Sequence, residues 1–292
     1  MTTMDASDIT LEIPQPDVYT APARNATRPR ILMVSPDHFC VRYSINPWMD
    51  TAQAVDVDRA RDQWQRLRDV IAESRDVSTV PGDPALPDMC FSANAGLVSR
   101  GTFVTSNFRH SERQPEANHF EEWMRRENFL IRRLPANVVF EGAGDALFDS
   151  EDRLWMGFGL RSELAAATLL SATLDTEVIP LELSDGRFYH LDTCFCPLRS
   201  GHVVFFPGAF TLQGIEALQR FIPARLRIPV SRDDAYHFAC NMVDLDDKVV
   251  VHRASDALRA ELKRADRDVR EVDLSEFIKA GGGAKCLTLT IG

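Results

Sequence analysis

Residues 195–206, Phe195-Cys196-Pro197-Leu198-Arg199-Ser200-Gly201-His202-Val203-Val204-Phe205-Phe206, hold two short apolar runs around a polar turn. Such runs split by a short Gly-containing turn read as a β-hairpin. Beyond them, the apolar spacing of residues 215–221 predicts a helix, and residues 225–228 predict a third strand. A unit of strand, strand, helix and strand cannot bury its apolar faces alone, so it should recur.

The same order recurs along the chain. Residues 97–98 and 102–105 flank Arg100 and Gly101, with a helix carrying Phe120, Trp123 and Met124 inward and a strand at 129–134. Residues 146–148 and 154–156 flank a polar turn, followed by a helix with Leu164, Ala165, Leu169 and Ser171 or Ala172 inward and a strand at 177–181. Residues 241–243 and 248–251, a helix over 255–264 and a strand at 269–272 repeat it again. The first unit has a strand at 31–34, a helix with Ala60, Trp64, Leu67 and Ile71 inward, and a strand at 77–80, but no preceding strand of its own. The last strand, 287–290, has no partner after it. Pairing it with 31–34 would close a ring of five and leave no free sheet edge between units.

The hairpins open near Cys90, Phe140, Cys194, Cys240 and Cys286, in steps of 50, 54, 46 and 46 residues. In a closed ring these openings converge on one centre. The expectation is an α/β fold, a five-bladed pseudo-symmetric propeller, with residues 31–292 as a single catalytic domain. Residues 1–30 read as a polar extension punctuated by Pro14, Pro16, Pro22 and Pro29.

Composition narrows the function classes. The net charge of −10 opposes the counterion release that drives nucleic-acid binding, and disfavours anionic membranes. No apolar run approaches a membrane span and residues 1–30 lack a signal-peptide pattern, so a soluble cytoplasmic protein is expected. Six cysteines are too few for a disulfide scaffold and match no common zinc spacing; Cys194 and Cys196 read as small buried hydrophobes. No metal and no cofactor is expected.

Chemistry gathers at the hairpin openings. They contain Asn94, the stretch Glu141-Gly142-Ala143-Gly144-Asp145, His190-Leu191-Asp192, the run His237 to Asn241, and Gly281-Gly282-Gly283-Ala284-Lys285-Cys286. Taken singly, His190 reads first as a satisfied core histidine, Asp145 as a turn cap and Cys286 as a small buried residue. Taken together they supply a nucleophile, a base and an orienting carboxylate.

This set, in this order, resembles the guanidine-modifying pentein enzymes: arginine deiminases, dimethylarginine dimethylaminohydrolases, amidinotransferases and arginine dihydrolases. The resemblance covers about residues 30–292. It implies a five-bladed α/β propeller, Cys286 as nucleophile, His190 as acid and base, and Glu141 as the carboxylate that positions His190. It further implies Asp192 on the substrate guanidinium and Arg113 and Arg161 on the substrate carboxylate. Where deiminases carry Phe-x-Arg-Asp, this chain has Phe91-Ser92-Ala93-Asn94. Asn94, with Ser35-Pro36-Asp37-His38-Phe39 and Ile45-Asn46-Pro47-Trp48-Met49, resembles the arginine dihydrolase branch, with Asn46 and Asn94 on the reacting head group. An amide both donates and accepts, so it suits the guanidinium and then the ureido group made from it.

The expected activity is arginine dihydrolase chemistry, giving ornithine, ammonia and carbon dioxide through a covalent thiouronium intermediate. Alternatives are a dimethylarginine dimethylaminohydrolase or arginine deiminase giving citrulline, an amidinotransferase, and a non-enzymatic pentein-fold binding protein. The expected partner is a small cationic guanidino substrate, without nucleic acid or membrane. A homo-oligomer stays an open option.

Overall fold

The computed structural model describes residues 28–292. The greater part of the expected N-terminal extension, including Pro14, Pro16 and Pro22, lies outside the described residues. The first strand already begins at Arg30.

Five three-stranded sheets follow one plan. β1 (Arg30–Val34), α1 (Val57–Ala72) and β2 (Asp76–Val80) form a parallel strand–helix–strand unit, with Leu32 opposite Ser78. β3 (Gly96–Ser99) and β4 (Thr102–Thr105) form a hairpin, and α2 (Glu116–Arg126) leads to β5 (Leu130–Arg133), parallel to β4. The third sheet is β6 (Ala146–Phe148), β7 (Leu154–Phe158) and, after α3 (Ala165–Leu174), β8 (Val178–Glu182). The fourth is β9 (Phe195–Pro197), β10 (Val203–Phe205) and, after α4 (Leu212–Phe221), β11 (Arg227–Pro229). A short helix, α5 (Arg232–Tyr236), precedes the fifth: β12 (Val243–Asp244), β13 (Lys248–Val251), α6 (Asp256–Arg264) and β14 (Asp268–Glu271). After α7 (Ser275–Ile278), β15 (Leu289–Thr290) pairs antiparallel with β1, Ile31 opposite Thr290 and Leu32 opposite Leu289. The chain's last strand thus completes its first sheet, and the ring closes.

Local sequence accounts for the units. Each middle strand reaches its parallel neighbour through a helix, because parallel strands need a long crossover. Asp56, Thr211 and Ser255 cap α1, α4 and α6 by accepting from the backbone N–H of the third residue on. The β3–β4 turn places both Arg100 (φ 47°) and Gly101 (φ 80°) in left-handed conformations, the two-residue turn that matches strand twist. Helix faces follow the apolar spacing in α1, where Ala60, Trp64, Leu67 and Ile71 are buried. In α3 they do not. Ala166, Ala167, Leu170 and Leu174 face inward, and Leu164, expected to be buried, is 51% exposed. The α3 sequence AAATLLSATL is apolar nearly all round, so period alone could not select its face.

One chain of hydrogen bonds ties the five hairpin openings together. Ala93 N–H donates to Cys286 O (3.1 Å), and Asn94 Nδ2 to Glu141 O (3.2 Å). Leu191 N–H donates to Asp145 Oδ1 (3.0 Å), Asn241 Nδ2 to Asp192 O (2.9 Å), and Lys285 N–H to Asn241 O (3.3 Å). These bonds run from unit to unit and return to the start. They satisfy buried polar groups that would otherwise each cost about 1–3 kcal/mol. They also hold the polar residues of five distant sequence segments at one level.

Candidate active site

Cys286 lies at this level, 2% exposed, just before the short last strand. Its Sγ accepts from Asn241 Nδ2 at 3.1 Å and stands 3.3 Å from Asp192 Oδ2. Asn241 Oδ1 also accepts the Cys286 backbone N–H at 3.2 Å. One amide therefore holds both the sulfur and the backbone of the same residue. Burial, with the adjacent Asp192 charge added, pushes the Cys286 thiol well up, so the resting sulfur is protonated.

His190 precedes a 3-10 turn, Leu191–Thr193, and its Nε2 is 2.6 Å from Glu141 Oε2. Glu141 is fully buried and also receives Arg161 Nη1 at 3.0 Å and the Arg109 backbone N–H at 3.0 Å. Burial would raise its carboxyl, but the His190 hydrogen bond and the Arg161 charge overcome it and hold Glu141 well below the ordinary carboxylate range. Asp145 carries the other half of this framework: its Oδ2 accepts from Ser162 Oγ at 2.6 Å and its Oδ1 from Leu191 N–H. It braces the His190 turn rather than only its own.

His190 and Asp192 are two residues apart, which on an extended segment would put them on one face. Only His190 is extended; Asp192 lies within the turn, which swings its carboxylate toward Cys286. Its Oδ1 is buried and has no hydrogen-bond partner among the described residues. Burial lifts the Asp192 carboxyl to about 6, with the Lys285 charge opposing.

Asn94 sits in the Ser92–Ala95 turn. Its Oδ1 accepts from Arg113 Nη1 at 2.9 Å and its Nδ2 donates to Glu141 O, which settles which way the amide points. Nδ2 is 3.4 and 3.5 Å from the two ring nitrogens of His190, so it lies beside the ring rather than in line with either nitrogen. The site for this amide requires Gly144: a Cβ there would come 2.1 Å from Asn94 Nδ2.

Arg113 and Arg161 are only 4% and 3% exposed, which removes the reading of either as a surface charge. Arg113 forms a two-point pair with Glu116 (2.9 and 2.8 Å) besides orienting Asn94. Arg161 bonds Glu141 and donates Nη2 to Ile45 O at 2.6 Å, with its guanidinium over the Tyr189 ring. Asn46 lines the same cavity, but its amide is spent on Ala280 O (3.0 Å) and Trp48 N–H (2.9 Å). These bonds anchor the 45–49 turn over the cavity.

Two further residues went unassigned in the sequence. Asp88, in the Pro87–Cys90 turn, lines the cavity with Asn94, Arg113, Arg161 and Cys286. Its Oδ2 takes the Tyr43 hydroxyl at 2.9 Å and its buried Oδ1 has no partner among the described residues. Asn241 is the other; its only signal was its place at a hairpin opening. Buried acids around the site (Asp88, Glu116, Glu141, Asp145, Asp192) outnumber the buried arginines Arg113 and Arg161, so the cavity favours a cation.

Residues 36–292 match the family model described as N,N dimethylarginine dimethylhydrolase, eukaryotic. The chain belongs to this dimethylarginine dimethylhydrolase family. Among family relatives, it is 47% identical over 264 residues to the bifunctional arginine dihydrolase/ornithine cyclodeaminase ArgZ of Synechocystis, covering 90% of this chain and 37% of that protein. The chain thus spans little more than a third of that relative's length. It is 36% identical over 273 residues to the N(G),N(G)-dimethylarginine dimethylaminohydrolase of Mycobacterium tuberculosis, covering 93% of this chain and 89% of that one. The crystal structure of the ArgZ N-terminal domain, a cysteine-to-serine variant bound to substrate, superposes with a TM-score of 0.88 at 46% identity, covering 90% of this chain and 98% of that one. An asparagine-to-serine variant of that domain has been solved covalently bound to a reaction intermediate. These likenesses establish the pentein fold, whose five-fold repeat of three-stranded sheets is the one described above.

Proposed function

We propose that this chain is a cysteine-dependent hydrolase of the arginine guanidinium group, of the arginine dihydrolase type. The observation that carries it is the pair of buried carboxylate oxygens without a partner among the described residues, Asp192 Oδ1 and Asp88 Oδ1, with the Cys286 thiol against Asp192. One receives the guanidinium beside Cys286, and the other receives the α-ammonium. The carboxylate of the substrate meets Arg161, replacing its contact with Ile45 O, and Arg113. Entry therefore requires the 45–49 turn to lift from Arg161, Ala280 O and Arg187 O, to which it is bonded.

A bound cation stabilises the thiolate that burial and Asp192 disfavour in the empty site. As the substrate binds, the Cys286 thiol proton is taken up at His190 Nδ1, and Cys286 Sγ attacks the guanidinium carbon. His190, its Nε2–H held by Glu141, gives a proton through Nδ1 to the departing ammonia and leaves a thiouronium on Cys286. Water, deprotonated at Nδ1, then attacks the same carbon and expels Cys286 as thiolate, leaving a ureido group. Asn94 Oδ1 keeps one lone pair, and its second N–H, beside the His190 ring, turns to that neutral group, which permits a second attack and loss of a second ammonia. The carbamate released on hydrolysis loses carbon dioxide. The balance is arginine plus two waters giving ornithine, two ammonia and one carbon dioxide.

The 47% identity to a protein whose name includes arginine dihydrolase supports this reading over dimethylarginine or deiminase chemistry. Counting ammonia per arginine consumed tests it. Two per arginine with ornithine is the expected result; one per arginine with citrulline overturns it. We treat residues 31–292 as one catalytic domain on the closure of the ring. Among the described residues no helix is long and apolar enough to cross a membrane.

A further inference from the structure

The ring of turns has a second side. There the hairpins enclose a cavity of about 500 Å³, within the usual range for small-molecule sites, that shares no lining residue with the catalytic one. Neighbouring residues of the same turns face opposite ways: Cys286 lines the catalytic cavity, while Lys285 lines this one, as do Ala143 and Cys240. The walls are apolar, with Leu97, Leu147, Phe195, Met242 and Leu289 among them.

The charges in this cavity are not balanced. Asp244, the acidic side chain in the lining, is held by Arg267 at 2.9 and 3.5 Å. Arg75 and Arg199 are engaged by Asp246 at 2.8 and 3.3 Å. Lys285 Nζ has only Thr288 O, at 3.4 Å, and no acidic partner among the described residues. A half-buried ammonium among apolar walls, with no acidic group within ion-pair distance among the described residues, is an arrangement that an anion would relieve. Arg75 and Arg199 share the one Asp246 carboxylate, so the lining keeps a cationic excess, and Lys285 among apolar walls suits an anion with an aliphatic body.

We propose that this cavity is a binding site for a small amphipathic monocarboxylate, its carboxylate on Lys285 and its chain along Leu97, Leu147 and Leu289. The site is separate from the substrate cavity, so occupancy does not compete with arginine. It rests on the fold and not on the reaction proposed above.

Calorimetric titration with hexanoate tests it, with hexylamine as the charge-reversed control. The Cys286→Ala protein is used so that arginine can be present without turnover. The expected result is saturable one-to-one binding of hexanoate and none of hexylamine, with hexanoate still bound at saturating arginine. Lys285→Met should weaken Kd at least tenfold. Val98→Trp, which narrows the channel from a strand remote from Cys286, should abolish binding while arginine turnover continues in the protein that keeps its cysteine. Absence of saturable binding, displacement by arginine, or an unchanged Kd in both variants would overturn the proposal. Because binding is read without catalysis, its failure leaves the proposed reaction untouched, and the reverse holds too.

Discussion

Asp192 Oδ2 lies 3.3 Å from Cys286 Sγ, and the other oxygen of the same carboxylate is buried without a partner among the described residues. The carboxylate thus acts on the nucleophile in two opposed ways. In the empty site its charge adds to burial in keeping the thiol protonated. With a guanidinium on its free oxygen, that charge is neutralised and the bound cation favours the thiolate. Asp192→Asn separates the two effects. Loss of a charged hydrogen bond worth about 1.5–3 kcal/mol should lower kcat/KM for arginine by roughly 10–100-fold. Alkylation of Cys286 by iodoacetamide in the empty enzyme should become faster at neutral pH. Slower alkylation in this variant would contradict the account.

Asn241→Ala should move the thiol the other way. The substitution removes the N–H donated to Sγ and the oxygen that accepts the Cys286 N–H. The pH midpoint of Cys286 alkylation should rise, and kcat should fall about tenfold or more while KM changes little, since the lost bond stabilises the attacking sulfur rather than the bound substrate. A change confined to KM would show that Asn241 serves binding instead.

The acid limb of kcat/KM should report Asp192. Burial raises its carboxyl to about 6, above the ordinary value, so the ionised form that holds the guanidinium is lost as pH falls through about 6. Lys285 opposes that rise, and Lys285→Met should therefore shift the limb to higher pH. A limb that stays in place in this variant would remove Asp192 as its source.

Asn94→Asp should shift products from ornithine toward citrulline. An aspartate there keeps the Arg113 contact but loses the N–H donated to Glu141 O, and its charge suits the guanidinium better than the neutral ureido group. The ratio of citrulline to ornithine, measured by chromatography at early times, should rise severalfold. An unchanged ratio would sink the argument for the amide.

Gly144→Ala should lower activity far more than stability. A Cβ 2.1 Å from Asn94 Nδ2 forces that amide off its hydrogen bonds, at a position whose own backbone needs no left-handed conformation. The expected change is a drop in kcat of about 100-fold with a shift in Tm of only a few degrees. Comparable losses in both would make Gly144 a folding residue.

Much of this arrangement was legible because the repeat is carried by local patterns. The spacing from Cys90 to Cys286 located five openings, and the unpaired strands at the two ends implied closure before any contact was known. The composition and order of Glu141, His190, Asp192 and Cys286 then marked where chemistry gathers. What could not be read depends on partners far along the chain. Asp88 and Asn241 gain meaning only from Tyr43 and Cys286, 45 residues away in each case. The tie from Asn46 Nδ2 to Ala280 O spans 234 residues and has no local signal. The α3 face was misread for a simpler reason: a helix rich in Ala and Leu on every side carries no period.

The central claim is that one cysteine site removes both terminal guanidino nitrogens before release. Arginine labelled with carbon-13 at the guanidino carbon, followed by carbon-13 NMR during turnover, tests it most directly. The account predicts that the label passes into carbon dioxide and bicarbonate while ornithine and ammonia accumulate in a ratio of one to two. Label that remains in the ureido carbon of citrulline at complete consumption of arginine would contradict it.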